Sequence, residues 1–231
     1  MLLEYMKNIS IEVKPGNIAH QNVDLLVNSS NTYLLLGSGT AEQIREACGY
    51  LRSDDNEYRS LVNQADTNLR TVLDYIHSKR PIPSKVQKEC LEYIIKNNNS
   101  KELDLGDAVL TSSGDLKDKG GAGYIAHAVG MTYDWKAQPN PPIIPATFKS
   151  VRDSLAKSFE LATELECKGL AMPVMCTRKG GLTIEESSDA TLQALNELNN
   201  TSIDRVVIVL YSEELEREQD RIRRFYNAIP R

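Results

Sequence analysis

"NVDLLVNSSNTYLLLGSGTAEQIREACG", Asn22 to Gly49, carries three signals in one stretch. "VDLLV" (23–27) is almost continuously apolar, the pattern of a strand covered on both faces. Four polar residues, Asn28, Ser29, Ser30 and Asn31, follow at once, and a glycine turn comes after them at Gly37-Ser38-Gly39. The spacing from Thr40 to Cys48 predicts a helix. Thr40 and Gln43 stand at capping-box separation, and Gly49 is a natural stop. The chain thus delivers amides and a glycine turn to the mouth of a helix.

Working outward, the same alternation recurs. "ISIEV" (9–13) before Pro15-Gly16 predicts a strand ending in a turn. Strands are predicted at 107–113 and 124–129, separated by "KGGAG", and 131–146 reads as a proline-rich loop. A long amphipathic helix follows, with Val151, Leu155, Phe159 and Ala162 on one stripe. Strand "GLAMPV", loop "MCTRKGGLT", a helix at 184–198, a strand at 205–212 and a helix at 213–227 complete the chain. Strands alternating with helices predict an α/β fold, a layered sheet with helices on both faces. Residues 50–105 differ, being polar and rich in Asn and Asp. Helices at 56–76 and 84–96, split by "KRPIP", predict a helical insertion at about 50–105 within a single domain over 1–231.

The totals narrow the classes of function. A chain of 231 residues with 41% hydrophobic and 26% charged content has ordinary globular values and can bury a full core. A net charge of -5 supplies no overall attraction to duplex nucleic acid, although a local basic patch is compatible with it. The longest apolar runs fall short of the roughly 20 residues of a spanning helix, so no membrane partner is implied. "MLLEYMKNIS" has Glu4 among its apolar residues and lacks the pattern of a secretion signal. Cys48, Cys90, Cys167 and Cys176 are scattered, which argues against a disulfide framework or zinc site and for a reducing cytoplasm. His20, His77 and His127 are far apart, so no metal site and no cofactor are expected.

Two loops share a design. "NSSNTYLLLGSG" runs into Thr40, and "MCTRKGG" runs into Thr183, which has capping-box spacing to Glu186. Glycines let backbone amides approach an anion, and a helix N-terminus adds partial positive charge. Two such loops at the carboxyl ends of strands suit a diphosphate. The same turns also occur as plain connections. Neither GxGxxG nor GxxxxGK[ST] is present. On the residues alone the reading stops at an anion or nucleotide pocket.

The order "VDLLVNSSN…LLGSGTAEQIREACG", "GDAVLTSSGDL…YIAHAVG", "LAMPVMCTRKGGLTIEESSDATLQAL" resembles the macro domain family. The V-N-x-x-N pattern with its glycine turn, the YxxHxVG stretch and the P-x-x-x-T-x-x-G-G loop carry the likeness. The resemblance implies a mixed sheet sandwiched between helices and a ligand such as ADP-ribose or an ADP-ribosylated macromolecule. By position it implies that Gly37, Ser38, Gly39, Thr40 and Ala41 wrap the diphosphate and distal ribose. Cys176, Thr177, Arg178, Lys179, Gly180, Gly181 and Leu182 would close from the other side. Asn28 and Asn31 would present amides to the ligand, with Asn31 on the ribose hydroxyls and the candidate for catalysis. Asn17 and Ile18 would meet the adenine edge, and Tyr211 its face. His127, at the family's own histidine position, is expected to be structural.

Three departures qualify this resemblance. Asn17 stands where the family usually has Asp, so its bond to adenine lacks charge assistance. Ala41 stands where hydrolytic members carry an Asp, and successive helical residues point about 100° apart, so Glu42 is no simple substitute. Arg178, Lys179 and Gly180 replace a Gly-Val-aromatic run, as cations on phosphate or as solvated charges. Slow hydrolysis of an ADP-ribosyl or O-acetyl-ADP-ribose bond, pure binding, and a protein or nucleic-acid interaction module with a vestigial cleft all remain open.

Overall fold

The computed structural model describes residues 9–52, 55–79, 82–137 and 140–227; the N-terminal reading above falls mostly outside them. A mixed sheet forms the middle layer. Its strands are β1 (Ser10–Pro15), β2 (Leu25–Asn31), β3 (Ala108–Ser112), β4 (Tyr124–Tyr133), β5 (Ile143–Ile144), β6 (Gly169–Pro173) and β7 (Arg205–Leu210). The order across the sheet is β1-β7-β6-β2-β4-β3, with β5 added against β4. The first five of these strands are mutually parallel, whereas β3 and β5 run antiparallel to β4.

Strand alternation decides which side chains feed which layer. On β2, Leu26 enters one core and Leu25 and Val27 the other; on β7, Val207 and Val209 oppose Val206 and Ile208. One face is covered by α1 (Thr40–Ala47), α2 (Asn56–Gln64), α3 (Thr67–Lys79) and α4 (Lys85–Asn98), with the short α5 (Asp115–Asp118) beside them. The other takes α6 (Phe148–Glu164), α7 (Ile184–Asn196), the single-turn α8 (Glu213–Arg217) and α9 (Gln219–Asn227). The stripe Val151, Leu155, Phe159 and Ala162 is wholly buried, and each large member contributes about 1.5–3 kcal/mol. Among the described residues no helix is long and apolar enough to cross a membrane.

Several boundaries differ from expectation for identifiable reasons. β2 does not stop at Val27 but continues through Asn31, because these polar residues pair in parallel with β4 from His127 to Met131. The predicted helix 56–76 is two helices. Asp66 interrupts it, accepting the N–H of Leu69 at 2.8 Å and starting α3. In the expected loop 131–146, β4 runs on to Tyr133 and pairs with Ile143–Ile144. The last predicted helix is divided between α8 and α9.

Candidate functional site

A cleft of about 820 Å³ opens at the carboxyl ends of the parallel strands, where open α/β sheets hold ligands. Ser29, Ser30 and Asn31 come from β2, Met131 and Tyr133 from β4, Pro173 from β6, and Tyr211 follows β7. Gly37 to Glu42 form one wall, and Val174 with Cys176 to Gly180 forms another.

The first wall ends in a helix without a cap of its own. Gly39 takes φ 65°, ψ −131°, a conformation reserved for glycine, and no side chain caps α1. The expected Thr40–Gln43 box does not form because Gly39, not Thr40, is the cap position, and Gln43 is used elsewhere: its Oε1 accepts the N–H of Ile18 at 3.2 Å. The first-turn N–H groups of α1 are therefore left without a side-chain acceptor at the cleft. Arg45 shapes this loop from behind. Its buried guanidinium donates to the carbonyls of Leu36 at 2.8 Å and Gly37 at 2.9 Å, and to Glu42 at 3.0 Å. Glu42 lines the cleft with its carboxylate held in that pair.

The second wall is bonded to itself. Leu182 N–H reaches the carbonyl of Cys176 at 3.1 Å, Gly181 N–H that of Arg178 at 3.2 Å, and Ala146 N–H that of Gly180 at 2.9 Å. A Cβ at Gly180 would lie 2.4 Å from that of Cys176, so the loop closes only around glycine. The next helix, α7, has its predicted cap: Thr183 Oγ1 accepts the N–H of Glu186 at 3.1 Å, and Glu186 accepts that of Thr183 at 2.9 Å. Those bonds hold the Glu186 carboxyl below its ordinary range. Burial pushes the Cys176 thiol up to about 11, and its sulfur lies 3.4 Å from Ser29 Oγ. This thiol is protonated and packed.

The expected ligand residues separate into two groups. Asn31, Gly37, Ser38, Gly39, Thr40, Ala41, Cys176, Thr177, Arg178, Lys179, Gly180 and Tyr211 converge on the cleft. Asn31 is nonetheless occupied: Nδ2 donates to Leu35 O at 2.9 Å, and Oδ1 accepts from Tyr33 at 3.2 Å and Leu35 at 3.3 Å. One of its two amide hydrogens remains for a ligand. Asn17, Ile18, Asn28, Gly181 and Leu182 are not on the cleft wall. Asn17 Oδ1 accepts from Ala19 at 2.8 Å and starts a 3-10 turn, Ile18–His20. Asn28 is fully buried instead, with Nδ2 3.2 Å from His127 Nδ1. His127 also lies 2.9 Å from Thr111 Oγ1, and burial pushes its pKa down to about 3, so the ring is a neutral structural group.

Sequence reasoning missed Leu35, Met131, Tyr133, Pro173, Val174 and Glu214. β4 pairing supplies the signal for two of them: Met131 is the register partner of Asn31, and Tyr133 lies two residues on. Tyr133 belongs to an aromatic group, with Trp135 4.8 Å away and Tyr33 and Tyr75 on its other sides at 5.9 and 6.3 Å from Trp135. Across the cleft, Arg178 lies 5.9 Å from the centroid of Tyr211, whose ring also meets Gly39.

Fold and cleft together define a three-layer α/β domain with a ligand-sized opening between two glycine loops. The model of the family described as macro domain matches residues 62–191, more than half of the 231-residue chain, and the chain belongs to that family. A macro domain-containing protein of Listeria monocytogenes serotype 4b is 27% identical over 210 residues, covering 89% of this chain and 92% of its own. Among solved structures, a mutant of the Oceanobacillus iheyensis macrodomain with ADPR aligns at TM-score 0.66 and 19% identity, covering 96% of both chains. The Trypanosoma brucei macrodomain in complex with ADP-ribose aligns at TM-score 0.60 and 15% identity, covering 91% of this chain and 68% of that one. Both likenesses are of fold.

Proposed function

We propose that the cleft binds ADP-ribose or a close nucleotide, with the diphosphate against the N-terminus of α1. One observation carries this reading: an uncapped helix start, formed by Gly39, Thr40 and Ala41, faces a cleft of about 820 Å³. Cys176 to Gly180 hold the ligand from the other side, and the spare amide hydrogen of Asn31 meets a ribose hydroxyl. Tyr211 flanks the base. The whole chain acts as one domain, with the helices between about 50 and 105 as an insertion. Calorimetry with ADP-ribose, ADP, AMP and NAD tests the reading, and absence of ADP-ribose binding at millimolar concentration ends it.

Turnover is slow or absent in this reading. Hydrolysis of an ADP-ribosyl bond needs the sugar held and a water directed at its anomeric carbon. Ala41 offers no carboxylate for that water, and Glu42 is tied to Arg45 at 3.0 Å. General-base assistance contributes roughly 10²–10⁴-fold, so its loss falls on rate rather than on affinity. ADP-ribose release from an ester-linked, mono-ADP-ribosylated protein is to be compared among wild type, Asn31→Ala and Ala41→Asp. A gain of release in Ala41→Asp is the expected outcome. Rapid wild-type release, unaffected by Asn31→Ala, contradicts the assignment.

A further inference from the structure

The larger cleft has an aromatic ring at each end: Tyr211 follows β7, and Tyr133 stands on β4. Strands β6 and β2 lie between them in the sheet, so three strand spacings of about 4.8 Å put the two ends ~14 Å apart. In the reading proposed above, on which this inference rests, base, diphosphate and distal ribose take the space from Tyr211 to Asn31 on β2. Tyr133 stands one strand further on, beyond the ribose, on a stretch of wall that ADP-ribose leaves uncovered.

Tyr133 is held as a platform. Its backbone pairs with Ile143 on β5, while Met131, two residues before it, lines the cleft as the register partner of Asn31. Its ring packs against Trp135 at 4.8 Å, with the planes tilted by 46°, and Trp135 is in turn braced by Tyr33 at 5.9 Å and Tyr75 at 6.3 Å. Burial raises the Tyr133 phenol above its ordinary range, so at neutral pH the ring is uncharged and keeps its electron-rich face. A ring fixed in this way loses little conformational freedom when a second ring lies against it. Met131 adds a polarisable thioether that adapts to a ring edge.

We propose that the cleft takes a dinucleotide, a diphosphate whose distal ribose carries a cationic planar ring, with that ring lying against Tyr133. A cation over the face of a tyrosine is attracted by the ring quadrupole, and the attraction strengthens as water is excluded. Oxidised nicotinamide combines the plane with the positive charge, whereas the reduced ring has a similar shape and no charge. ADP-ribose ends in a hydroxyl at the same carbon and forgoes the contact. Tyr133 therefore decides between these ligands, while Asn31 and the turn from Gly39 to Ala41 serve them alike.

The experiment is calorimetry on the full chain with NAD, NADH and ADP-ribose at matched ionic strength. NAD is expected to bind about tenfold tighter than either of the other two. Tyr133→Leu removes that advantage and leaves ADP-ribose affinity unchanged, which also establishes that the variant's cleft is folded. Tyr133→Phe retains the ring and with it the preference for NAD. The inference is overturned if NAD binds no tighter than ADP-ribose, if NADH binds as tightly as NAD, or if Tyr133→Leu weakens NAD and ADP-ribose alike. Each of those outcomes leaves ADP-ribose binding in place, and so strikes this inference alone. A cleft that binds none of the three strikes the underlying reading as well.

Discussion

The two loops that flank the larger cleft look alike in sequence and differ in how their helices begin. Before α1, Gly39 leaves the helix start without a side-chain cap, while Arg45 gathers the carbonyls of Leu36 and Gly37 on the far side. Before α7, Thr183 and Glu186 close the helix start on itself, and Glu186 sets a carboxylate where an anion would otherwise rest. A helix N-terminus can serve a cap or a ligand; α7 uses its own for a cap, whereas α1 has no side-chain cap. In the proposed reading the first loop receives charge through its backbone. The second contributes a shaped wall and the side chains of Arg178 and Lys179.

The largest expected effect tests what shapes the first loop. Arg45→Met orphans the buried carbonyl of Leu36 at about 1–3 kcal/mol and frees the part-buried one of Gly37, read in chemical denaturation, and ADP-ribose affinity falls with it. A variant as stable as wild type would mean that the loop keeps its form without the guanidinium. Next comes Gly39→Ala, which forces a non-glycine residue to φ 65°, ψ −131° at about 1–3 kcal/mol. Calorimetry should register that strain chiefly as lost ADP-ribose affinity, and unchanged affinity breaks the contrast between the loops.

Thr183→Ala sharpens it from the other side. The cap loss lowers stability by about 1 kcal/mol in thermal melts, with ADP-ribose affinity unaltered. The Glu186 carboxyl titrates below its ordinary range when folded, so its contribution is present at neutral pH and fades as pH falls through that lowered value. The deficit of the variant therefore narrows in acid. The smallest effect belongs to the exposed cations: replacing Arg178 and Lys179 with Ala weakens binding about twofold to fivefold and flattens its salt dependence. Unchanged affinity assigns them to solvent.

What the sequence disclosed follows from which interactions are local. The buried stripe of α6 and the Thr183–Glu186 box involve residues three or four apart, and both were legible. The alternative use of Gln43 was not, since its partner Ile18 is 25 residues away. The extension of β2 through Asn31 was hidden for the same reason. Only pairing with β4, about a hundred residues on, makes Asn28 and Ser30 strand residues. The glycine loops of the cleft were found because glycine marks backbone geometry locally. Met131 and Tyr133 escaped because register alone brings them to Asn31.

Trp135 is the chain's single tryptophan, and its ring lies 4.8 Å from that of Tyr133, a wall of the cleft. Among the described residues, the rings of Tyr33, just beyond β2, and Tyr75 on α3 also lie against it. Emission excited at the red edge of protein absorbance therefore originates from one indole with one address. A ligand that moves Tyr133 changes the polarity and quenching around that indole. The unlabelled protein is in consequence its own fluorescent reporter, and Tyr133→Phe, which keeps the ring and removes the hydroxyl, calibrates the signal.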